Sequence, residues 1–454
     1  MKINRRRFIF GSVLVGGGAL FTYSATRPSR HRRANVNLAQ GEERYITSFI
    51  KIEPGNEITI YVPHSEMGQG IHTSLSMMAA DELDANWEEV NIEQAPAIDL
   101  FANGDLVRGF AGELGVPDFL MGLVGASAFA VAEIGNLQTT GGSTSVRYTG
   151  EHGMRVAGAA AREMLIETAA VRWGVPVEEL STKLSHIHHN ATGRSLSYGE
   201  LAAEAALMEP PENPRLKDRS EFNIMGKAIS RNDIPAKVDG SAMYGLDAHS
   251  NDMLYAAIRM APVFGTKLVS ANTQPAFSVR GVEDVIELED SVAVVADSYW
   301  RAKKALELVE TEWEASENDS VSSTDIAARF DRELADSNGS KDKEVGDADA
   351  ALSSAADYIE ASYRVPYLAH AAMEPMNCTV HIKGDTADLW TSTQDALGIK
   401  GRVARIAGLK EDNVTFHQTY CGGGYGRRLP FNWNMIDHAT LIAKYFDVPV
   451  KTIF

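Results

Sequence analysis

The chain has 454 residues, 44% of them hydrophobic, which is ample for sizeable cores and suggests two to four domains. Its net charge of −18 argues against nucleic acid, whose phosphates would repel such a surface, and no basic stripe occurs outside the first 33 residues. The two cysteines, Cys378 and Cys421, are far apart and have no CxxC partner. That excludes zinc ribbons and chain-bound iron–sulfur clusters, and it predicts two buried free thiols, with a disulfide between them as the alternative.

Residues 1–35 read as a leader outside the fold. A basic start is followed by an uncharged run from Phe8 to Ala25. Arg5-Arg6-x-Phe8, then Ile9, resembles a twin-arginine export signal, which predicts a periplasmic protein. Gly11 and Gly16 to Gly18 dilute the apolar run as a membrane span. No clean Ala-x-Ala site is present, so a retained anchor helix is the alternative. This export route carries folded proteins and hints at a cofactor inserted before export.

From residue 45 the body begins. "SFIKIEPGNEITIYVP" alternates around Pro54-Gly55-Asn56 and predicts a hairpin. "HSEMGQGIHTSLSMMAADELDA" predicts a helix with Leu75, Met78, Ala79 and Leu83 on one face, capped by Thr73 or Ser74. Met67-Gly68-Gln69-Gly70 then lies just before a helix N-terminus, where free amides favour an anion. A second unit of this kind follows. Thr139 to Ser145 lead into a helix striped by Met154, Ala157, Gly158, Ala161, Leu165 and Thr168, whose small residues predict close packing at the centre. "SHIHHN" holds His186, His188 and His189, read as a polar surface strand or turn, with a metal site as the alternative.

Residues 205–225 read as a charged, proline-bearing linker. Residues 226–314 form a smaller α/β unit with strands at "MLYAAIRM", "VEDVIEL" and "SVAVVAD", then a helix at "SYWRAKKALELVETEW". Residues 315–357 are an acidic connection with one short helix, and residues 358–454 are a last α/β segment. That segment contains "AHAAMEPMN", "WTSTQ" and "CGGGYGRRLP", and closes on a helix entering the apolar strand Val448 to Phe454, expected to be an exposed sheet edge unless another segment pairs with it. Each glycine-rich stretch alone is more simply a turn. Three in one chain, the third being Gly422 to Gly426, point to one large polyanionic ligand.

In order, "EMGQGIHT", "TTGGSTSVR", "GKAISRNDIPAKVDGSAMYGLD", "AHAAMEPMN", "WTSTQ" and "GGGYGRR" resemble the molybdopterin-binding large subunit of the xanthine dehydrogenase/aldehyde oxidase family. The branch is that of the bacterial isoquinoline 1-oxidoreductase beta subunit, and the likeness runs from residue 45 to 454. It implies a multi-domain α/β (α+β) fold: molybdopterin-binding segments at 45–204 and 358–454, and a small hammerhead-like α/β domain at 226–314. The implied cofactor is molybdenum-molybdopterin, expected in its cytosine dinucleotide form. Gln69 and Gly70 would hydrogen-bond the pterin. Thr140, Gly141, Gly142 and Ser143 would offer amides and hydroxyls. Gln394 would sit near the apical side of the metal, and Gly423, Gly424, Tyr425 and Gly426, with Arg427 and Arg428 beside them, would form the loop approaching it. His370 and Glu374 are either a substrate-pocket wall or a polar pair at a turn made by Pro375. Leu429 and Pro430 stand where other branches carry an acidic residue, which disfavours a purine substrate.

Members of that family hydroxylate an electron-poor carbon of an aldehyde or N-heterocycle with oxygen from water, and electrons leave through iron–sulfur clusters. The resemblance therefore implies a small 2Fe–2S subunit as partner and a cytochrome c as acceptor. The family's general base is a glutamate in a Gly-Glu-Pro-like context. No catalytic residue of that type is identifiable here, and it is expected on a further C-terminal segment, in this chain or another. Two other readings stand beside an exported molybdenum hydroxylase. One is a cofactor-binding remnant without turnover. The other is a dinucleotide-binding dehydrogenase, which lacks the strand–GxGxxG–helix unit it needs.

Overall fold

The computed structural model describes residues 27–113, 121–211, 213–336, 339–341, 343–430 and 434–454. The export motif and the uncharged run to Ala25 lie outside these residues. Two compact units result: a larger one comprising residues up to Ala256, Asp297–Tyr299 and Ala372–Phe454, and a smaller one comprising Ala257–Ala296 and Trp300–Ala371. The protein is thus a mixed α/β, multi-domain chain.

The larger unit starts earlier than the sequence predicts. Helix α1, Arg30–Asn37, is capped by Ser29. Arg30 donates through Nε to the Leu100 carbonyl and stacks over Phe49 and Phe129, while Arg33 pairs with Asp99 and Glu133. Residues 27–35, assigned by sequence to the leader, belong to the fold here. Their arginines look like leader basicity, yet they bond carbonyl and carboxylate groups of the fold.

Strands β1 (Arg44–Thr47), β2 (Ile50–Ile52) and β3 (Ile58–Val62) form an antiparallel meander, and β4 (Val90–Gln94) adds parallel to β3. The predicted hairpin is β2–β3, its turn allowed by Asn56 at φ 75°. Helix α2, Ile71–Leu83, returns across the sheet. Helices α3 (Gly104–Glu113), α4 (Met121–Ile134) and α5 (Ser143–Thr149) follow, and α6 spans Arg155–Trp173. The sequence reading assigns neither α3 nor α4. The small-residue stripe of α6 does what it predicts: a Cβ on Gly158 would stand 2.2 Å from the Ala79 carbonyl oxygen, so the backbones of α2 and α6 approach closely there. A continuous core, with Ile46, Ile60, Leu75, Met154 and Leu165, fills the space between sheet and helices.

His186–His189 is β6 of a three-stranded sheet with β5 (Leu180–Lys183) and β7 (Ser195–Ser197). The supposed linker at 205–225 is pinned, and its charges are the reason. Asp81 and Glu82 of α2 are buried, Asp81 accepts from the amides of Asn223, Ile224 and Met225, and Lys217 reaches Asp81 and Asp84. Residues 226–256 also fall in the larger unit.

Strand β8, Leu254–Met260, leads into the smaller unit. There β9 (Leu268–Asn272) pairs with β12 (Glu310–Trp313), and β10 (Val282–Leu288) with β11 (Ser291–Ala296). After α7 (Tyr198–Ala205) and α8 (Ile234–Asp239), helix α9 (Tyr299–Leu306) stops at Leu306, because the alternating Glu310–Trp313 is strand and not the continued helix that was predicted. The acidic stretch holds two helices, not one: Ser323–Ala335 and Ala348–Ser354, neither with a buried residue.

Back in the larger unit, β13 (Asn377–Lys383) lies between β14 (Thr386–Trp390) and β16 (Val450–Ile453), and β15 (Val414–His417) joins parallel to β14. Helix α12 (Ala396–Ala407) connects β14 to β15, and helix α13 (Asn434–Ala443) precedes β16. The terminal strand is not an exposed edge. All four residues of β16 are buried, and on the side away from β13 the Leu254 N–H reaches the Pro449 carbonyl. Among the described residues no helix is long and apolar enough to cross a membrane.

Candidate functional site

The six sequence segments, spread from Glu66 to Arg428, are bonded to one another inside the larger unit. Gln394 is the common strut. Its Oε1 accepts from the Gly426 and Arg428 amides at 3.1 and 3.3 Å, and its Nε2 donates to the Thr140 carbonyl at 3.0 Å. The Thr140 amide donates back to the Gln394 carbonyl at 2.6 Å. Thr140 Oγ1 accepts from the Ser65 amide at 2.9 Å, which ties in the GQG loop. Gly424 sits where these parts meet: a Cβ there would be 2.7 Å from both Gln394 Oε1 and Met67 Sδ.

The glycine loop turns through left-handed backbone at Gly423 (φ 110°), Tyr425 (φ 50°) and Gly426 (φ 90°). Its floor is a buried ion pair. Arg428 is 1% exposed, and its Nε donates to the Gly423 carbonyl, Nη1 to the Ser392 carbonyl and Nη2 to the Glu374 carbonyl. Nη2 also lies 3.3 Å from Glu374 Oε2. Glu374 in turn accepts from Ser392 Oγ, Asn377 Nδ2 and the amides of Gly422 and Leu246. This carboxylate is a structural knot, and the polar-pair alternative for it takes a specific form: its charged partner is Arg428. His370 is exposed on an irregular segment of the smaller unit.

The GQG loop departs from the expected geometry. Helix α2 starts at Ile71 with Gly70, at φ 80°, as its cap, so neither Thr73 nor Ser74 caps it. The anion at this helix start is the protein's own. Glu66, 2% exposed, accepts from the amides of Gly68, Gly70 and His72. Arg231 bonds Glu66 and the Gly68 carbonyl, so the 226–247 segment closes over the same loop. Gln69 is exposed and curls onto its own loop, accepting from the Met67 amide and donating to the Ser65 carbonyl.

Behind the Thr140 segment stands His64, 1% exposed, with Nε2 2.8 Å from Thr149 Oγ1 and Nδ1 3.4 Å from Thr140 Oγ1. Burial pushes its pKa down to about 3, so the ring is neutral. Asp395, one residue past Gln394, caps α12 and accepts from the Gln138 amide and Thr139 Oγ1. Burial raises it to about 6. Cys421 Sγ lies 3.4 Å from the Gly423 carbonyl oxygen, and burial lifts its thiol to about 11. Arg427 is half-buried beside Asn434, with its pKa lowered by burial and by Arg428. Sequence reasoning missed His64, Glu66 and Arg231, and treated Arg428 only as a neighbour. Each directly adjoins or lies within a quoted motif, so a charged residue beside a glycine turn was the available signal. A cavity of about 310 Å³ opens beside the loop, lined by Tyr244, Leu246, Asp247, Met373, Glu374, Pro375 and Gly422.

Known proteins account for this convergence. Residues 331–454, which carry Gln394 and the glycine loop, match the molybdopterin cofactor-binding domain. Isoquinoline 1-oxidoreductase subunit beta of Brevundimonas diminuta is 30% identical over 423 residues, covering 84% of this chain and 51% of that protein. The membrane-bound aldehyde dehydrogenase (pyrroloquinoline-quinone) of Gluconacetobacter polyoxogenes is 28% identical over 472 residues, covering 100% and 55%. Residues 331–454 are thus a molybdopterin cofactor-binding domain, and the chain as a whole is similar to molybdenum-dependent oxidoreductase subunits. It spans about half the length of the curated relatives it matches. Among solved structures, quinoline 2-oxidoreductase from Pseudomonas putida 86 aligns at TM-score 0.38 and 18% identity over 50% of this chain and 34% of that one.

The molybdopterin group fits the residues at this convergence. Gly68 (φ 101°) and Gly142 (φ 60°) have nothing within 4 Å of where a Cβ would stand, so a flat heterocycle can approach backbone there. Gln69, Ser143 and Tyr425 stand exposed beside them, while Glu66 and Arg231 are already engaged with each other and with the backbone of the GQG loop. Each of Gln69 and Gln394 keeps one amide N–H beyond the bonds it makes within the chain.

Proposed function

We propose that this chain is the cofactor-holding part of an exported molybdenum hydroxylase that oxidises an aldehyde or an N-heterocycle. The observation that carries the reading is the bonding of six scattered motifs around Gln394 and Gly424. Gln69, Gly70, the Thr140–Ser143 segment, Gln394, Gly423 to Gly426 and Arg427 would hold the cofactor, expected in its cytosine dinucleotide form. When bound, that group supplies the two-electron redox chemistry and activates water-derived oxygen. The chain's own part is positioning. Gln394 fixes the loop height, Arg428 and Glu374 fix its floor, and neutral His64 keeps the wall behind Thr140 uncharged.

Arg5-Arg6-x-Phe8 supports export, and the two distant cysteines support a separate 2Fe–2S subunit with a cytochrome c acceptor beyond it. The smaller unit is read as the hammerhead-like domain. The test is molybdenum and pterin content per purified chain. We expect near-stoichiometric loading in the parent and a drop of at least tenfold in Gly424→Val, whose Cβ has no room beside Gln394. Full loading of that variant overturns the assignment.

A second reading, cofactor binding without turnover, is favoured by one observation. Both carboxylates at the convergence, Glu66 and Glu374, are buried and fully engaged by amides and arginines. Neither can take a substrate proton without dismantling the loop it holds. The general base would then come from a Gly-Glu-Pro-like segment that this sequence does not contain. Anaerobic oxidation of an aldehyde or N-heterocycle with an artificial acceptor separates the readings. Robust turnover by this chain and its iron–sulfur partner alone would sink the second.

A further inference from the structure

The larger unit holds a second cavity, of about 690 Å³, which shares no lining residue with the one beside the glycine loop. Helices α1, α3, α4 and α6 and the β1–β2 turn wall it. Two side chains of α3 line it unsatisfied. Asp105 is 4% exposed, and its carboxylate accepts no hydrogen bond among the described residues; Arg30 and Arg108 act on it only through space. Arg108, three residues on, is half-buried, and its Nε is sealed from solvent without a partner. A buried carboxylate or guanidinium N–H left unpaired costs free energy that a hydrogen bond would recover. Other buried charges of this unit are matched, Asp81 by three amides and Glu374 by Arg428. The two open groups at one cavity mark a site that a ligand completes.

We propose that this cavity binds a small aromatic monocarboxylate that also carries a hydroxyl or a ring N–H. Arg108 forks onto the ligand's carboxylate, and Asp105 accepts from its donor. Charge selects the carboxylate. Of the acids and bases lining the cavity, Glu209 is already paired with Arg32. Burial lowers the pKa of His31 and of His152, so neither adds charge near neutral pH. Arg30 and Arg108 then stand against Asp105 alone, an excess of one positive charge in a chain of net −18. One carboxylate balances that excess. An ammonium would meet two guanidiniums, and a dianion would leave Asp105 with an unmatched neighbour. The planar guanidinium also matches a carboxylate with two parallel hydrogen bonds.

The rest of the lining selects an aromatic body. Phe49, Phe129, Val156, Ala157, Pro210 and Pro211 supply the apolar wall. Arg30 lies over the rings of Phe49 and Phe129, 5.2 and 4.6 Å from their centres, so that wall is set before a ligand enters. The volume falls within the roughly 300–1,000 Å³ usual for small-molecule sites. None of these residues is assigned to the cofactor, so the site stands apart from the molybdenum reading.

The experiment is calorimetric titration of the full chain near neutral pH with 4-hydroxybenzoate, 4-methoxybenzoate, benzylamine and inorganic phosphate. 4-Hydroxybenzoate should bind one to one. It should bind roughly tenfold tighter than 4-methoxybenzoate, which has no donor for Asp105, and tighter still than phosphate, which has no apolar body. Benzylamine should not bind. Arg108→Gln should weaken both carboxylates roughly tenfold or more, and Asp105→Ala should erase the advantage of the hydroxyl. Neither side chain bonds within the chain, so both variants should melt with the parent. The hydroxyl-against-methoxyl comparison on the parent needs no variant. Absence of saturable carboxylate binding overturns the proposal, and so does equal affinity in Arg108→Gln. Equal binding of the two benzoates overturns the role of Asp105. Binding of benzylamine, or of phosphate as tightly as 4-hydroxybenzoate, overturns the ligand class. These readouts do not depend on molybdenum content, so failure here is distinguishable from failure of the cofactor assignment.

Discussion

Glu374–Arg428 and Tyr358–Ala371 lie close together in sequence and could hardly differ more in how their groups are satisfied. Around Gly424 nearly every polar atom has a partner within the chain, down to the fully buried guanidinium of Arg428. From Tyr358 to Ala371 none of the backbone has a backbone partner among the described residues, although the side chains are more apolar than those of the glycine loop. Apolar content therefore does not decide burial. What decides it is whether the chain also supplies partners for the backbone it would bury, since an unpaired buried amide or carbonyl costs about as much as a lost hydrogen bond.

The largest test of that contrast removes one member of the buried pair. Arg428→Met leaves the buried Glu374 carboxyl short of a partner and should destabilise the protein by about 3–5 kcal/mol. Thermal unfolding checks this, and a loss under 1 kcal/mol would show that the loop floor is redundant. Next in size is overpacking at the helix crossing. Gly158→Ala puts a methyl against the Ala79 carbonyl and should cost about 1–3 kcal/mol, read as a lower denaturation midpoint with unchanged slope.

Titration gives a third, intermediate effect. His64 binds its proton only near pH 3 in the fold, against 6.5 when unfolded, so its contribution is present above pH 6.5 and is lost as pH falls toward 3. Asp395 runs the other way. Its folded pKa of about 6 exceeds the unfolded 3.8, so its contribution is full below 3.8 and disappears as pH rises through 6. The two oppose each other between those limits. Asp395→Asn, which can keep the amide and hydroxyl bonds, should gain on the parent by up to about 1.4 kcal/mol per pH unit across pH 4 to 6. Parallel melting curves over that range would contradict the assignment. The smallest effect belongs to the exposed region. Arg364→Ala breaks a surface pair with Asp331 and should change stability by no more than about 0.5 kcal/mol. A larger loss would mean that the pair does more than join two surface groups.

How much of this was legible beforehand follows from which physics the sequence carries locally. The helix of Ile71–Leu83, the hairpin at Asn56 and the close stripe of Gly158 are written in period and residue size. The ties made by Glu66, Arg231, Glu374 and Arg428 were not legible, because each joins positions up to 165 residues apart. The stretch around Lys217 misled for the same reason: proline and charge look like linker until the buried Asp81 and Glu82 that receive them are seen. Likewise Arg30 and Arg33 read as leader basicity until their carbonyl and carboxylate partners appear. Val448–Phe454 looked like an open edge, since nothing in the strand itself names its neighbours.

The thiol of Cys421 gives the loop a chemical reporter. It is buried under the glycine turn and held almost wholly protonated at neutral pH, so it resists alkylation while the turn is closed. Cys378, the other cysteine, is 0% exposed in β13 with its pKa also raised by burial, and it stays silent unless the sheet itself opens. Labelling kinetics on the unmodified protein thus time two separate events, loop opening at Cys421 and loss of the sheet at Cys378.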